Sequence, residues 1–406
     1  MSTTDRIRLG EMRAELNPYA PGAGLRPPEL VGRQPEVDAF DLLVARSRRG
    51  QTSRSLVLHG LRGVGKTVLL NQFRAQADSA GWLVVDVEGQ TSDSGQQTTR
   101  RRLAREIALA ARRLHRGRAL TSAVRDALAT VKAFSVQFGG MGFSVDVEAS
   151  VGRADTGVIE IDLEELVEDL APALREQQRV LALFVDELQD LEPALLAALI
   201  SVQHRAGQRE WPFVVVGAGL PSVPGALTTA KSYAERLFDY REIGSLPSGA
   251  AADALVLPAQ RSGVTFDPDA LDTIVDAAGG YPYFLQTYGS AAWDLAADKR
   301  ITRADADGAI ERGNAELDSG FFPGRWASAT PAERQYLVAM SDDPEGESST
   351  GEVASRLGVP AKATSQARQA LIGKGIVFAP QRGRIAYTVP HMRAFVRRQA
   401  DLDLVD

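Results

Sequence analysis

The stretch "GLRGVGKT", Gly60 to Thr67, fits the pattern G-x-x-x-x-G-K-[ST] without a mismatch. A short apolar run, "SLVLH", precedes it, and a helical pattern, "TVLLNQFRAQADSAG", overlaps its end. Strand, loop and helix together are the context this motif needs. Gly60, Gly63 and Gly65 let backbone N–H groups curl around phosphate oxygens, and the helix start adds a favourable dipole. In that cradle, with Val64 and Val68 beside it, Lys66 would reach the β- and γ-phosphates and Thr67 would ligate Mg²⁺. Further on, "VLALFVDE" delivers Asp186 and Glu187 to the end of an apolar strand. Asp186 is placed to hold Mg²⁺ through water, and Glu187 to act as the general base that polarises an attacking water. A strand ending in Asp-Glu is a weak signal by itself. Downstream of a phosphate-binding loop it implies ATP and Mg²⁺ as ligands.

Such residues need a scaffold that brings strand ends together. "SLVLHG", "WLVVDVEG", "RVLALFVDE" and "WPFVVVGAGLP" are near-continuous apolar runs separated by helical patterns. That alternation predicts an α/β fold, a doubly wound parallel sheet covered on both faces. The predicted sheet domain runs over 30–247, after an extended Pro/Gly-rich arm at 1–29. A long insertion at about 95–165 interrupts it. There "TTRRRLAREIALAARRLHRG" reads as a basic amphipathic helix, and "FSVQFGGMGFSVDVEAS" as a β-hairpin. From 248 to 318 the pattern is all helical, a small lid, and a further module follows over 328–400.

Composition narrows the chemistry. There are no cysteines and four histidines, none at a metal-ligand spacing, so neither a disulfide framework nor a zinc site is expected. No apolar run approaches the roughly 20 residues that span a bilayer, and a cytoplasmic protein without a membrane partner is expected. The net charge of −6 is unevenly spread. From Gly351 to Ala400 nine basic residues face one acid, a balance of +8 that leaves −14 on the rest. The basic module therefore calls for an anionic partner, or for docking on the acidic part of its own chain.

The order "LVGRQPEVDAF", "GLRGVGKT", "VDELQDL", "GAGLP", "AERLF", "GGYPYFL" resembles the AAA+ ATPases. Within them it is similar to the origin-recognition and initiator-type group and to the archaeal-type and signalling (STAND) ATPases. The resemblance implies that Val31, Gly32 and Arg33 lie beside the adenine, and that the insertion lies where initiator-type relatives grip DNA. It also implies a homo-oligomer in which Arg236 reaches a neighbour's γ-phosphate, with Arg241 as the second choice. Strand four in such proteins usually ends in a polar residue that positions the water, whereas this chain has Gly217, Ala218 and Gly219 there. Slow hydrolysis is the corresponding expectation. The lid helix of many relatives carries an arginine near its start. Here "GGYPYFLQ" has none, and Pro282 with the helix start would lie against the nucleotide instead.

The last module reads helix, helix, turn, helix and hairpin, a winged helix-turn-helix. It opens on "TPAERQYLVAM" with Thr330 as N-cap and Pro331 at the first helical position. If it binds duplex DNA, Gln366, Arg368, Gln369 and Lys374 are the outward candidates on the third helix, and Arg382 and Arg384 at the hairpin tip. Two other readings stand beside that one. In the first the winged helix is an intramolecular or protein-binding lid of a signalling switch. In the second the protein is a helper ATPase for a transposase-type DNA machine.

Overall fold

The computed structural model describes residues 12–22, 24–115, 121–139, 147–343, 347–389 and 391–403. The chain divides into two compact units, the first made of Gln34–Gly60 and Lys66–Ile243. It opens with α1 (Gln34–Ser47), β1 (Ser55–His59), α2 (Lys66–Ser79) and β2 (Leu83–Glu88). The insertion contributes α3 (Asp93–His115), α4 (Ser122–Gln137) and α5 (Ile159–Glu176). Then come β3 (Leu181–Asp186), α6 (Pro193–Arg209), β4 (Phe213–Gly219), α7 (Val223–Ala230), α8 (Ala234–Leu237) and β5 (Phe238–Glu242). All five strands are parallel, in the order β2-β3-β4-β1-β5. The doubly wound sheet predicted from the apolar runs is thus the observed one.

The apolar runs explain the layering. Every residue of β4 is buried, as are the first five of β3. Strands covered on both faces have no polar side to alternate with. On one face Phe40 of α1 stacks on Phe73 of α2 with ring centroids 4.5 Å apart, and Phe184 of β3 packs beside them. In the insertion, Leu103, Ile107, Ala111 and Leu114 line one side of α3 at helical spacing and join the core.

The insertion departs from the sequence reading at one place. Phe134 to Gln137, expected to start a β-hairpin, are the last turn of α4. Val131 and Phe134 belong with Leu128 and Val124 to one buried helical stripe, and that periodicity outweighs the strand-like alternation. The rest of the expected hairpin falls largely on 140–146, outside the described residues. Three of the six arginines of α3 are held in ion pairs. Arg100 meets Glu192, Arg102 meets Asp86 and Arg113 meets Asp78, which describes an ion-paired helix face.

The second unit comprises the chain up to Arg33, the loop apex Leu61–Gly65 and everything from Gly244. Its helical part is α9 (Ser248–Arg261), α10 (Pro268–Ala278), α11 (Pro282–Leu295) and α12 (Arg303–Glu316). Two short strands, β6 (Thr265–Phe266) and β7 (Arg300–Ile301), pair in parallel within it, which the all-helical reading missed. The N-terminal arm packs on this part: Tyr19 donates its hydroxyl to the Leu255 carbonyl, and Asn17 donates to Ser290 Oγ across 3.0 Å.

A π-helical turn (Leu317–Phe321) and α13 (Pro323–Ser328) lead into the final module. That module is α14 (Pro331–Ser341), β8 (Ser348–Ser349), α15 (Thr350–Arg356), α16 (Ser365–Gly373), β9 (Val377–Phe378), β10 (Arg384–Tyr387) and α17 (Met392–Asp403). Thr330 caps α14 in a reciprocal box with Glu333, as "TPAE" suggests. The strands form an antiparallel sheet in the order β8-β10-β9, so the wing is present and β8 is its third strand. Aromatic contacts join this module to the helical part and to the connection before it. Phe322 lies 5.2 Å from Phe395, and Phe284 lies 5.0 Å from His391.

Candidate nucleotide site

The phosphate-binding loop leaves the sheet where β1 ends. Gly60 N–H donates to the Gly219 carbonyl of β4 across 3.1 Å, anchoring the loop's first residue. Lys66 opens α2, and its Nζ donates to the Gly60 carbonyl at 2.9 Å. With 8% of its surface exposed, that ammonium is held under the loop by its own backbone. Gly63 and Gly65 take φ of +83° and +96°, values that an L side chain rarely adopts. Such left-handed glycines are the backbone feature by which a loop of this kind can aim its N–H groups at an anion.

The acidic side of the site comes from the neighbouring strand end. Thr67 Oγ1 donates to Asp186 Oδ2 at 2.8 Å, so the two residues expected around Mg²⁺ meet. Burial pushes the Asp186 carboxyl above its ordinary value, and the bonds from Thr67 and the Glu187 N–H only partly offset this. Glu187 has φ of +47°, the left-handed region, at the turn that ends β3. Gly89 makes room for that turn, because a Cβ there would stand 2.3 Å from the Glu187 carbonyl oxygen. Gln189, which the sequence reading did not single out, donates Nε2 to Glu187 Oε2 at 2.7 Å. Its Oε1 accepts from Leu220 N–H at 2.9 Å, just beyond the end of β4.

Residues 29–216 match the family described as "AAA ATPase domain". That segment is similar to AAA ATPase domains over a little under half of the chain. Residues 319–396, which hold the winged module up to the start of α17, match "Domain of unknown function (DUF8462)". No curated protein matches the chain. Among solved structures, the Orc1 protein of Aeropyrum pernix in complex with DNA is 18% identical over 94% of this chain and 96% of that one, with a TM-score of 0.47. Cdc6p from Pyrobaculum aerophilum is 16% identical over 97% and 100%, with a TM-score of 0.47. The RuvB Holliday junction branch migration motor of Thermotoga maritima is 18% identical over 90% and 96%, with a TM-score of 0.45.

Two further groups of residues singled out in the sequence lie in the second unit. Gly32 has φ of +67°, and a Cβ there would come within 2.7 Å of Ala250. Arg33 is 7% exposed and donates to the Val64 carbonyl at 3.0 Å and to the Gly244 carbonyl. Arg33 thus braces the loop apex, while Val31 is half-buried beside it. Gly279 and Gly280 both have positive φ, ending α10 and letting Gly280 accept from Leu246 N–H at 2.7 Å. Pro282 then takes the first position of α11. Tyr281 and Tyr283, on either side of it, are the side chains nearest Gly63, at 3.5 and 3.6 Å from where its Cβ would be. Arg62 lies against Gly375 of the winged module, where a Cβ would be 2.9 Å from its guanidinium.

The register of β5 decides what Arg236 can reach. Ser55 stands opposite Phe238 and His59 opposite Glu242. Arg236, exposed on α8, therefore stands off the edge where β1 begins, whereas the loop leaves the edge where β1 ends. Five strand residues separate the two edges, roughly 17 Å. Arg241 is paired with Asp239 at 2.7 Å.

In the winged module the four outward candidates of α16 and its end divide. Gln366 and Gln369 are exposed. Arg368 is half-buried with its Nε enclosed. Lys374 is already engaged, donating to Glu333 at 2.6 Å and to the Ser328 carbonyl at 2.8 Å. Arg382 and Arg384 are exposed at the hairpin tip. The surplus of +8 is also partly spent within the unit: Arg356 pairs with Asp343, Lys374 with Glu333 and Arg398 with Asp318. Among the described residues no helix is long and apolar enough to cross a membrane, and no cluster of His, Asp and Glu would hold a metal ion alone.

Proposed function

We propose that the chain is an oligomeric, nucleotide-dependent switch that binds ATP with Mg²⁺, hydrolyses it slowly, and contacts DNA through its winged helix. The observation that carries the ATP reading is Lys66 held under a glycine loop while Thr67 meets Asp186. This donor set fits a magnesium nucleotide: one buried ammonium, loop N–H groups at a helix start, and a hydroxyl–carboxylate pair. When bound, Mg²⁺ neutralises charge on the phosphates. Lys66 and the loop N–H groups orient the phosphate chain. Asp186 and Thr67 hold the metal, and Glu187 accepts the proton of the attacking water. Arg33 keeps the loop apex in shape through the Val64 carbonyl. Pro282 and the start of α11 read the nucleotide by shape, since the turn carries no arginine.

Arg236 supports the oligomer reading, because its edge of the sheet is not the edge that bears its own loop. An arginine so placed serves a neighbour's phosphate. The DNA reading rests on exposed Gln366, Gln369, Arg382 and Arg384. A second reading has its own support: Tyr281, beside Gly63, also donates a long 3.4 Å hydrogen bond to the Thr388 carbonyl of the winged module. There the winged helix is a lid of a signalling switch.

Glu187→Gln is expected to keep binding a fluorescent ATP analogue and to lose turnover, while Lys66→Ala loses both. Unchanged turnover in Glu187→Gln would remove that residue as the base. Duplex DNA binding is expected to weaken steeply with salt and in the double variant Arg382→Ala/Arg384→Ala. No binding by the folded protein at low salt would leave the lid reading in its place.

A further inference from the structure

The AAA+ core of this chain ends β4 in Gly217, Ala218 and Gly219, without a polar side chain to act there. The space is used by another residue. Gln189 sits in the short 3₁₀ turn (Leu188–Asp190) that follows Glu187. Its side-chain amide spans the gap between that turn and β4. One end accepts from Leu220 N–H at 2.9 Å, and the other donates to Glu187 Oε2 at 2.7 Å and to Asp190 Oδ2 at 3.2 Å. Gly219 is what admits it: a Cβ there would stand 2.4 Å from Gln189 Oε1 and 2.5 Å from Val223 Cγ2. The missing side chain on β4 and the glutamine on the loop that follows β3 are therefore two halves of one arrangement.

We propose that Gln189 is a positioning residue for hydrolysis, anchored on the end of β4 and fixing the rotation of the Glu187 carboxylate. The inference rests on Glu187 being the base. An amide suits this task because it carries an acceptor and a donor on one rigid plane. A carboxylate of the same length could accept from Leu220 but could not donate to Glu187. It would place two like charges in contact. Asparagine is one methylene short of spanning both partners.

The test compares wild type with Gln189→Ala, Gln189→Glu and Gly219→Ala, measuring kcat and KM and, separately, the affinity for a fluorescent ATP analogue with Mg²⁺. Misplacing a reacting group by about 1 Å costs on the order of 100-fold in rate. A kcat loss of that order is expected in Gln189→Ala and Gln189→Glu, with affinity for the analogue within roughly threefold of wild type. Gly219→Ala is expected to follow them by displacing the amide. Gln189→Glu matters most, since it keeps the anchor to β4 while it loses the donated hydrogen bonds and sets a like charge against Glu187. Wild-type kcat in Gln189→Glu would overturn the proposal and leave Gln189 a loop anchor. A wild-type rate no higher than that of Glu187→Gln would overturn the assignment of the base, and this inference with it.

Discussion

Thr67 Oγ1 and Asp186 Oδ2 lie 2.8 Å apart, tying the first turn of α2 to the end of β3. The bond compensates part of a cost. Burial raises the Asp186 pKa, so its ionised form is disfavoured in the fold, and the nearby Glu187 charge adds to this. A carboxyl raised in this way lowers stability once the pH exceeds its ordinary value. Asp186→Asn removes the charge, keeps one oxygen as the acceptor for the Glu187 N–H, and lets its NH2 donate to the Thr67 hydroxyl, which can turn to accept. Its Tm without Mg²⁺ at pH 7 is therefore expected to rise, and the stabilisation that wild type gains from ATP with Mg²⁺ is expected to disappear. Differential scanning fluorimetry with and without ligand measures both. A lower Tm without ligand would contradict the electrostatic account.

Gly279 and Gly280 are adjacent and both left-handed, yet they are not equivalent. A Cβ on Gly279 meets nothing within 4 Å, whereas one on Gly280 would stand 2.3 Å from the Leu246 carbonyl oxygen. Gly279→Ala therefore bears the backbone penalty alone, about 1 kcal/mol. Gly280→Ala must also push the Leu246 strand of chain away and is expected to cost ~2 kcal/mol or more. Chemical denaturation of the two variants should rank them in that order. Equal losses would show that the close approach at Leu246 is not a constraint.

Asp343, 6% exposed, pairs with Arg356, and the guanidinium holds its carboxyl below the ordinary value of 3.8 despite burial. A depressed carboxyl contributes stability that is fully present above 3.8 and is lost as pH falls through its folded value. Asp343→Asn is expected to cost about 1–3 kcal/mol at pH 7, the range for losing a charged hydrogen bond. The gap between variant and wild type should close as the pH drops below 3.8. A gap independent of pH would point to packing as the cause.

Much of this is legible in the amino-acid sequence, and the reasons are physical. β1, β3 and β4 read as strands because a covered parallel sheet tolerates almost no polar residue, and Gly60 to Thr67 read as a loop because its glycines and lysine have fixed spacing. Thr330 announced α14 through its capping box. What escaped was long-range or locally ambiguous. Phe134 to Gln137 alternate like a strand, and only the buried stripe reaching back to Val124 makes them helix. Lys374 looks like a surface cation until Glu333, on α14, is seen to hold it. Gln189 gave one signal that could have been used: a polar residue two positions after Glu187, in a chain whose β4 ends in small residues.

Arg236 supplies the last prediction. Phe238 stands beside Ser55, so the preceding α8 carries Arg236 to the end of the sheet away from Gly60. An arginine that neutralises transition-state charge from a neighbouring subunit is worth about 10³–10⁵ in rate in related phosphoryl transfers. Arg236→Ala alone is expected to lose at least 100-fold in turnover while keeping nucleotide affinity and assembly. Lys66→Ala, which cannot hold phosphate, is expected to be inactive as well. Mixed, the two variants should regain activity, because a Lys66→Ala subunit can offer its intact Arg236 to an Arg236→Ala neighbour whose loop is sound. The rate should peak at intermediate ratios of the two chains. A mixture no more active than its components, with assembly verified by light scattering, would mean that Arg236 acts on no neighbour. Its exposure would then reflect an ordinary surface position on α8.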